Sequence, residues 1–225
     1  EYTDAIERIN IELSIKNKLA MVAALDDYLC SDVPVSQSGD AEVDKLPKTD
    51  ILGDRIEQAL SLLDQTQARW QYLLDHMNTP LAQALDPLQK LGLNTDQYFL
   101  ATTRLSTTPD ATVFDLLQDR TFRVSYKHAL RTPLGRIFTG AAFAQIVADI
   151  AATHARVLKS RVFVALHMHA GDGNVHTNLP VNSADYGMLT QANETVARIM
   201  QIARDLDGVI SGEHGIGITK LEFLT

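Results

Sequence analysis

Three of the chain's seven histidines fall within the stretch "HMHAGDGNVH", His167 to His176. In an extended strand alternate residues share a face. His167 and His169 therefore fall with Phe163 and Ala165, and against Val162, Val164, Leu166 and Met168. Gly171-Asp172-Gly173 can turn the chain back, because glycine takes positive φ at little cost. On the return strand His176 and Asn178 share a face, and a tight bend brings His169 and His176 together. Two neutral imidazoles held this way suit a first-row divalent ion. The competing reading is a hairpin whose histidines only make hydrogen bonds. The spacing matches none of the short zinc motifs, and two ligands do not fill a coordination sphere.

A second stretch, "SGEHGIG" from Ser211 to Gly217, sets an adjacent Glu-His between glycines. Glu213 would add a hard oxygen to the two nitrogens. Neighbours in an extended segment face opposite ways, so His214 would stay off the ion. Two histidines and one carboxylate leave coordination positions open for water or substrate. A free imidazole beside such an ion is a natural proton acceptor. The alternative is a glycine turn carrying a surface Glu-His pair. The metal reading thus assigns His169, His176 and Glu213 as ligands and His214 as base.

The elements that must hold these residues are legible in part. From Tyr2 to Leu29, Ile6, Ile9, Leu13, Leu19, Val22 and Leu25 recur at helical spacing. Residues 32–49 are polar, with two prolines and a Ser-Gly, and read as a mobile loop. Asp50 to Met77 is helical again, with Ile56, Leu60, Leu63, Trp70 and Leu74 on a stripe, and Asn78-Thr79-Pro80 stops it. Shorter helices run to Leu91, with Gly92 as cap. "DQYFLATTRL" (Asp96 to Leu105) and "TFRVSYKHAL" (Thr121 to Leu130) read as strands, the second by its alternation. Phe143 to Leu158 is helical, and "RVFVALHMHA" is a strand. Ser183 to Leu206 is the clearest helix, with Ser183 as N-cap and Gly208 as stop. "GVISGEHGIG" reads as a short strand entering a glycine turn. The sum is an α+β fold: a helical first half, then a largely antiparallel sheet with flanking helices from residue 96 onward.

Composition excludes several classes. The chain has 225 residues, 45% apolar, with a formal net charge of −8. No Lys/Arg-rich run is present, so no nucleic-acid surface is expected. No apolar run is long enough for a membrane span. The single cysteine, Cys30, allows neither an internal disulfide framework nor a cysteine-built zinc or iron–sulfur site within the chain, and fits a reducing, cytoplasmic setting. An acidic surface repels anionic substrates at long range, so attracting one needs a local positive patch. The first residue, Glu1, and the apolar ending "KLEFLT" read as cut sites in a longer protein.

"HAGDGNVHTN" followed by "DGVISGEHGIGITK" closely resembles the C-terminal cap domain of FAD-linked oxidases, the family of D-lactate dehydrogenase, glycolate oxidase and D-2-hydroxyglutarate dehydrogenase. The fuller form "HMHAGDGNVHTNLPVNSADY" with "ISGEHGIGITKLEFL" is most similar to large bacterial members with added iron–sulfur modules. The resemblance implies a ferredoxin-like cap, here with residues 50–92 as a helical insertion and 96–225 carrying the site. It implies His169, His176 and Glu213 as ligands of a divalent metal, Zn or Mn, and His214 as the catalytic base. It sets Asn178 near the substrate carboxylate and Lys127 as a carboxylate-binding lysine. Arg104, Arg120 and Arg123 are candidates for an accompanying arginine. His167 is not a general family position and is expected to be structural or to support the metal ligands from beside them.

The function so implied is oxidation of a D-2-hydroxy acid, of the D-2-hydroxyglutarate or D-lactate class, with hydride passing to FAD. The flavin domain would precede Glu1 in the same polypeptide, and any iron–sulfur cluster would lie elsewhere in it. The setting would be cytoplasmic, or peripheral to the inner membrane. No dinucleotide fingerprint occurs here, since "GDGNVH" opens a strand and lacks the third glycine, so this fragment alone is expected neither to hold FAD nor to turn over. Two other classes stay open on the residues: a metal-binding scaffold domain without redox role, and a metal-dependent hydrolase.

Overall fold

The structure is a computed structural model that describes residues 1–169, 171 and 174–210. Among these the elements run α1 (Tyr2–Leu29), α2 (Lys48–Leu52), α3 (Arg55–Asp75), α4 (Leu81–Lys90), α5 (Thr95–Thr107), α6 (Val113–Gln118), α7 (Thr132–Ile137), α8 (Ala144–Lys159), β1 (Ala165–His169), β2 (Asn174–Asn178) and α9 (Tyr186–Asp205). The fold is α+β and mostly helical, with a two-stranded antiparallel sheet among the described residues. The chain divides into two compact units, one of Glu1–Ser14 with Ser160–Thr225, the other of Ile15–Lys159.

In the first unit the hairpin lies on two helices. Ile6, Ile9 and Leu13 of α1, Val162 and Val164 before β1, and Met188, Ala192 and Ile199 of α9 form one buried cluster. Leu166 and Leu179 pack at its edge. Val162, Val164 and Leu166 share one side of the chain, as the alternation predicts. Each such fully buried aliphatic side chain stabilises by about 1.5–3 kcal/mol relative to exposure.

α9 begins later than the sequence suggests. Its N-cap is Asp185, not Ser183: the Asp185 carboxylate accepts the Met188 N–H at 2.9 Å. Its end is a Schellman turn. The Asp207 N–H donates to Arg204 O at 2.9 Å and the Gly208 N–H to Ala203 O at 2.7 Å. The left-handed residue is Asp207, with φ of 55°. Gly208 is needed for another reason: a Cβ there would stand 2.9 Å from the Ala203 carbonyl oxygen. Val209 and Ile210 that follow form no strand. The rest of "GVISGEHGIG", with Glu213 and His214, lies outside the described residues.

The regular elements of the second unit are helices, which corrects two expected strands. "DQYFLATTRL" lies in α5, because Asn94 caps it by accepting the Gln97 N–H at 2.8 Å. Thr102 and Thr103 hydroxyls then donate back to Phe99 O at 2.8 and 2.9 Å, so the polar residues are satisfied along the helix. "TFRVSYKHAL" is not a strand either. Its alternation has no partner strand among the described residues, and an unpaired strand leaves its backbone unsatisfied. Instead Phe122 is buried, its N–H donating to Leu116 O at 2.8 Å, and Lys127–Arg131 forms a π-helical turn. The helix expected from Asp50 is broken at Gly53, φ 51°, into α2 and α3. Leu63 and Trp70 of the expected stripe are buried, joined by Ala59, Thr66 and Leu73. Gly92, φ 82°, ends α4 as anticipated.

Candidate functional site

The hairpin register fixes which residues can meet. Ala165 pairs with Asn178, Leu166 with Thr177, His167 with His176, Met168 with Val175, and His169 with Asn174. Directly across from His176 therefore stands His167, and position 169 is its diagonal neighbour rather than its partner. The two strands place His167, His176 and Asn178 on one face, the one turned away from the buried cluster. His167 and Asn178 are exposed and His176 is half-buried.

The rings of His167 and His176 lie 6.3 Å apart between centroids, tilted by 44°. Two imidazoles sharing a tetrahedral ion, with metal–nitrogen bonds near 2 Å, set ring centroids roughly 5 Å apart. The pair is wider than that, which favours His167 as a flanking group over a ligand. Among the described residues no three His, Cys, Asp or Glu side chains assemble as a ligand set. The third expected donor, Glu213, falls outside them. The expected donor types, imidazole nitrogen with a carboxylate oxygen, would fit zinc or manganese.

The face is held by residues that periodicity does not single out. Asn10 of α1 brackets the approach to β1: its Nδ2 donates to Val164 O at 2.9 Å, and its Oδ1 accepts the Val164 N–H at 2.8 Å. A side-chain amide thus takes the place of a neighbouring strand. The one signal in sequence was a polar residue between Ile9 and Leu13 on a buried helix. Ser160 Oγ donates to the Asp185 carboxylate at 2.7 Å, tying the segment before β1 to the start of α9. This bond, together with the Met188 N–H, holds the Asp185 carboxyl below its ordinary pKa. Glu12 on α1 accepts both guanidinium nitrogens of Arg198 on α9, with Nη2 to Oε1 at 3.0 Å, and lies 3.3 Å from Arg8 Nε. That pairing raises the Arg198 pKa.

The remaining expected site residue, Lys127, belongs to the other unit. It opens the π-helical turn and is exposed, not a strand position as anticipated. Of the candidate arginines, Arg104 lies in α5, Arg120 adopts a left-handed φ of 65°, and Arg123 lines a cavity together with Arg69.

The hairpin and α9 fall in the part of the chain that is similar to known proteins. Residues 138–225 match FAD linked oxidases, C-terminal domain. The glycolate oxidase subunit GlcD of Escherichia coli K12 is 40% identical over 58 residues, which is 26% of this chain and 12% of that protein. The subunit of the same name in Bacillus subtilis 168 is 36% identical over 56 residues, 25% of this chain and 12% of that protein. The matched stretch thus spans about an eighth of the length of these relatives. No solved structure matches significantly. Residues 138–225 of this chain are thus similar to the C-terminal domain of the FAD-linked oxidases.

Proposed function

We propose that this chain is the substrate- and metal-binding cap part of a flavin-dependent dehydrogenase that oxidises a D-2-hydroxy acid to the 2-oxo acid. The observation that supports this best is the family match across 138–225, which takes in both histidine motifs. GlcD, a subunit of glycolate oxidase by name, favours a small 2-hydroxy acid as substrate. The hairpin register adds a polar face carrying His167, His176 and Asn178, the arrangement a substrate-facing surface requires.

His169, His176 and Glu213 would hold the divalent ion. When bound, that ion would supply Lewis acidity to the substrate hydroxyl, and a flavin from the rest of the polypeptide would supply the hydride acceptor. The residues of this chain do the remaining work. His214 accepts the hydroxyl proton on a ring nitrogen. Asn178 donates a hydrogen bond to the carboxylate. The outward placement of the polar face keeps it separate from the apolar cluster that fixes the strands.

The test is anaerobic. Full-length, metal-replete protein is mixed with D- and L-2-hydroxy acids and flavin absorbance is followed. Bleaching by a D-enantiomer is expected, and no bleaching by any member of the panel would overturn the reading. His214→Ala should slow bleaching about a hundred- to ten-thousand-fold with metal retained. Unchanged rates would remove His214 from the role.

A further inference from the structure

Apart from the hairpin, the helical unit contains a cavity of about 290 Å³ between α3, α4, the start of α5 and the segment 122–129. Its floor is apolar: Trp70, Leu88 and Phe122 are 1%, 0% and 3% exposed. Its rim carries the guanidinium groups of Arg69 and Arg123 and the imidazole of His128. No carboxylate of a described residue lines it. This is unusual in a chain with 28 acidic and 20 basic residues. Among the described residues no Asp or Glu oxygen comes within ion-pairing distance of these three groups.

Arg69 makes the point sharply. It is partly buried, and its Nη1 donates to Gly92 O at 2.8 Å. Its partner is therefore a carbonyl dipole, which leaves the guanidinium's charge and its other N–H donors for an anion. Partial burial lowers its pKa from the ordinary arginine value. Arg123 and His128 are exposed and make no side-chain ion pair with a described residue. Asn94, Gln97 and Ser125 add polar groups at the mouth.

We propose that this cavity is a binding site for a small organic anion, with a carboxylate or phosphate head held by Arg69, Arg123 and His128 and a compact apolar body seated on Trp70, Leu88 and Phe122. The volume sits at the small end of ligand pockets and suits a metabolite rather than a peptide. Two guanidinium forks offer bidentate donors to either kind of head. All lining residues lie within Ile15–Lys159, and none belongs to the hairpin face.

The experiment is calorimetric titration of the full-length protein with benzoate and with phenyl phosphate, which distinguishes the two heads. Acetate and inorganic phosphate serve as heads without a body, and benzyl alcohol as a body without a head. One of the two aromatic anions should bind saturably, at least tenfold more tightly than its bare head or the alcohol. Arg123→Gln should weaken it about ten- to a hundred-fold. His128→Gln should weaken it further when combined with Arg123→Gln. Both side chains are exposed, so these substitutions spare the fold, and circular dichroism checks that. No saturable binding of either aromatic anion into the millimolar range, or binding undiminished in the double variant, would overturn the proposal.

Discussion

The hairpin of the first unit and the segment 121–131 of the second carry similar sequence patterns and fold differently. Both alternate apolar and polar residues over several positions. In the hairpin the alternation has something to act on. One side of the approach to β1 packs on α1 and α9, while Asn10 and β2 satisfy the backbone. In 121–131 there is no described strand to pair with. Phe122 turns into the helical core, and Tyr126 stacks on His154 with centroids 3.9 Å apart. The lesson is that alternation states which side of a strand would be buried, not whether a strand forms. A neighbour able to take the backbone hydrogen bonds decides the second question.

If the outer side of the hairpin is where chemistry happens, its three histidines should differ sharply in importance. His176→Ala in the full-length protein should lower bound metal and bring turnover to background. His167→Ala should leave metal content within about twofold, since His167 flanks the assigned ligands His169, His176 and Glu213 and its ring stands 6.3 Å from that of His176. Elemental analysis of the two variants reads the difference directly. Equal metal loss in both would make His167 a ligand and reverse the contrast drawn from the register.

The same contrast explains what could be read from the chain beforehand. Helices α1, α8 and α9 were legible because each carries an apolar stripe over four or more turns. The facing of His167, His176 and Asn178 was legible because a strand has a period of two. The cross-strand partner was not, because register depends on the number of residues consumed by the bend. α5 was missed because Tyr98, Phe99 and the threonines raise strand propensity, while the deciding feature is the single Asn94 cap. The cationic cavity was invisible, since Arg69, Arg123 and His128 are distant in sequence and meet only through packing. Lys127 was placed on a strand for the same reason that the whole segment was.

The bracket by Asn10 can be broken without touching the site. Asn10→Ala leaves the N–H and C=O of Val164 without their amide partner, at a cost of about 1–3 kcal/mol. For a chain of this length that is a fall in Tm of several degrees. The variant should also lose metal affinity, because the start of β1 is no longer pinned. A comparable truncation in the helical unit, Thr66→Ala, should lower stability without that second effect. A metal affinity unchanged in Asn10→Ala would show that the strand is positioned by packing alone.

The turn after α9 gives a smaller effect of opposite sign. Asp207 holds a left-handed φ of 55°. Asp207→Gly should therefore raise stability by about 1 kcal/mol. Gly208→Ala should lower it, because the added Cβ meets the Ala203 carbonyl at 2.9 Å. The pair distinguishes conformational strain from close approach at adjacent positions, and thermal unfolding of both variants measures it.

The smallest effect expected lies at the Tyr126–His154 stack, where the failed strand is anchored. Burial, then the charge of Arg131, depresses the His154 pKa below the ordinary 6.5. The sign follows from proton binding. Below 6.5 the unfolded chain takes up a proton on this imidazole that the folded chain resists, so protonation favours unfolding. The stability contribution is complete above that pH and is lost as the pH falls through the folded-state value. His154→Phe keeps a ring against Tyr126 and removes the proton. Its unfolding midpoint should decline less than that of the unaltered protein between pH 7 and pH 5. Parallel declines would mean that other groups carry the acid sensitivity, and that the stack holds 121–131 in place through packing without an electrostatic share.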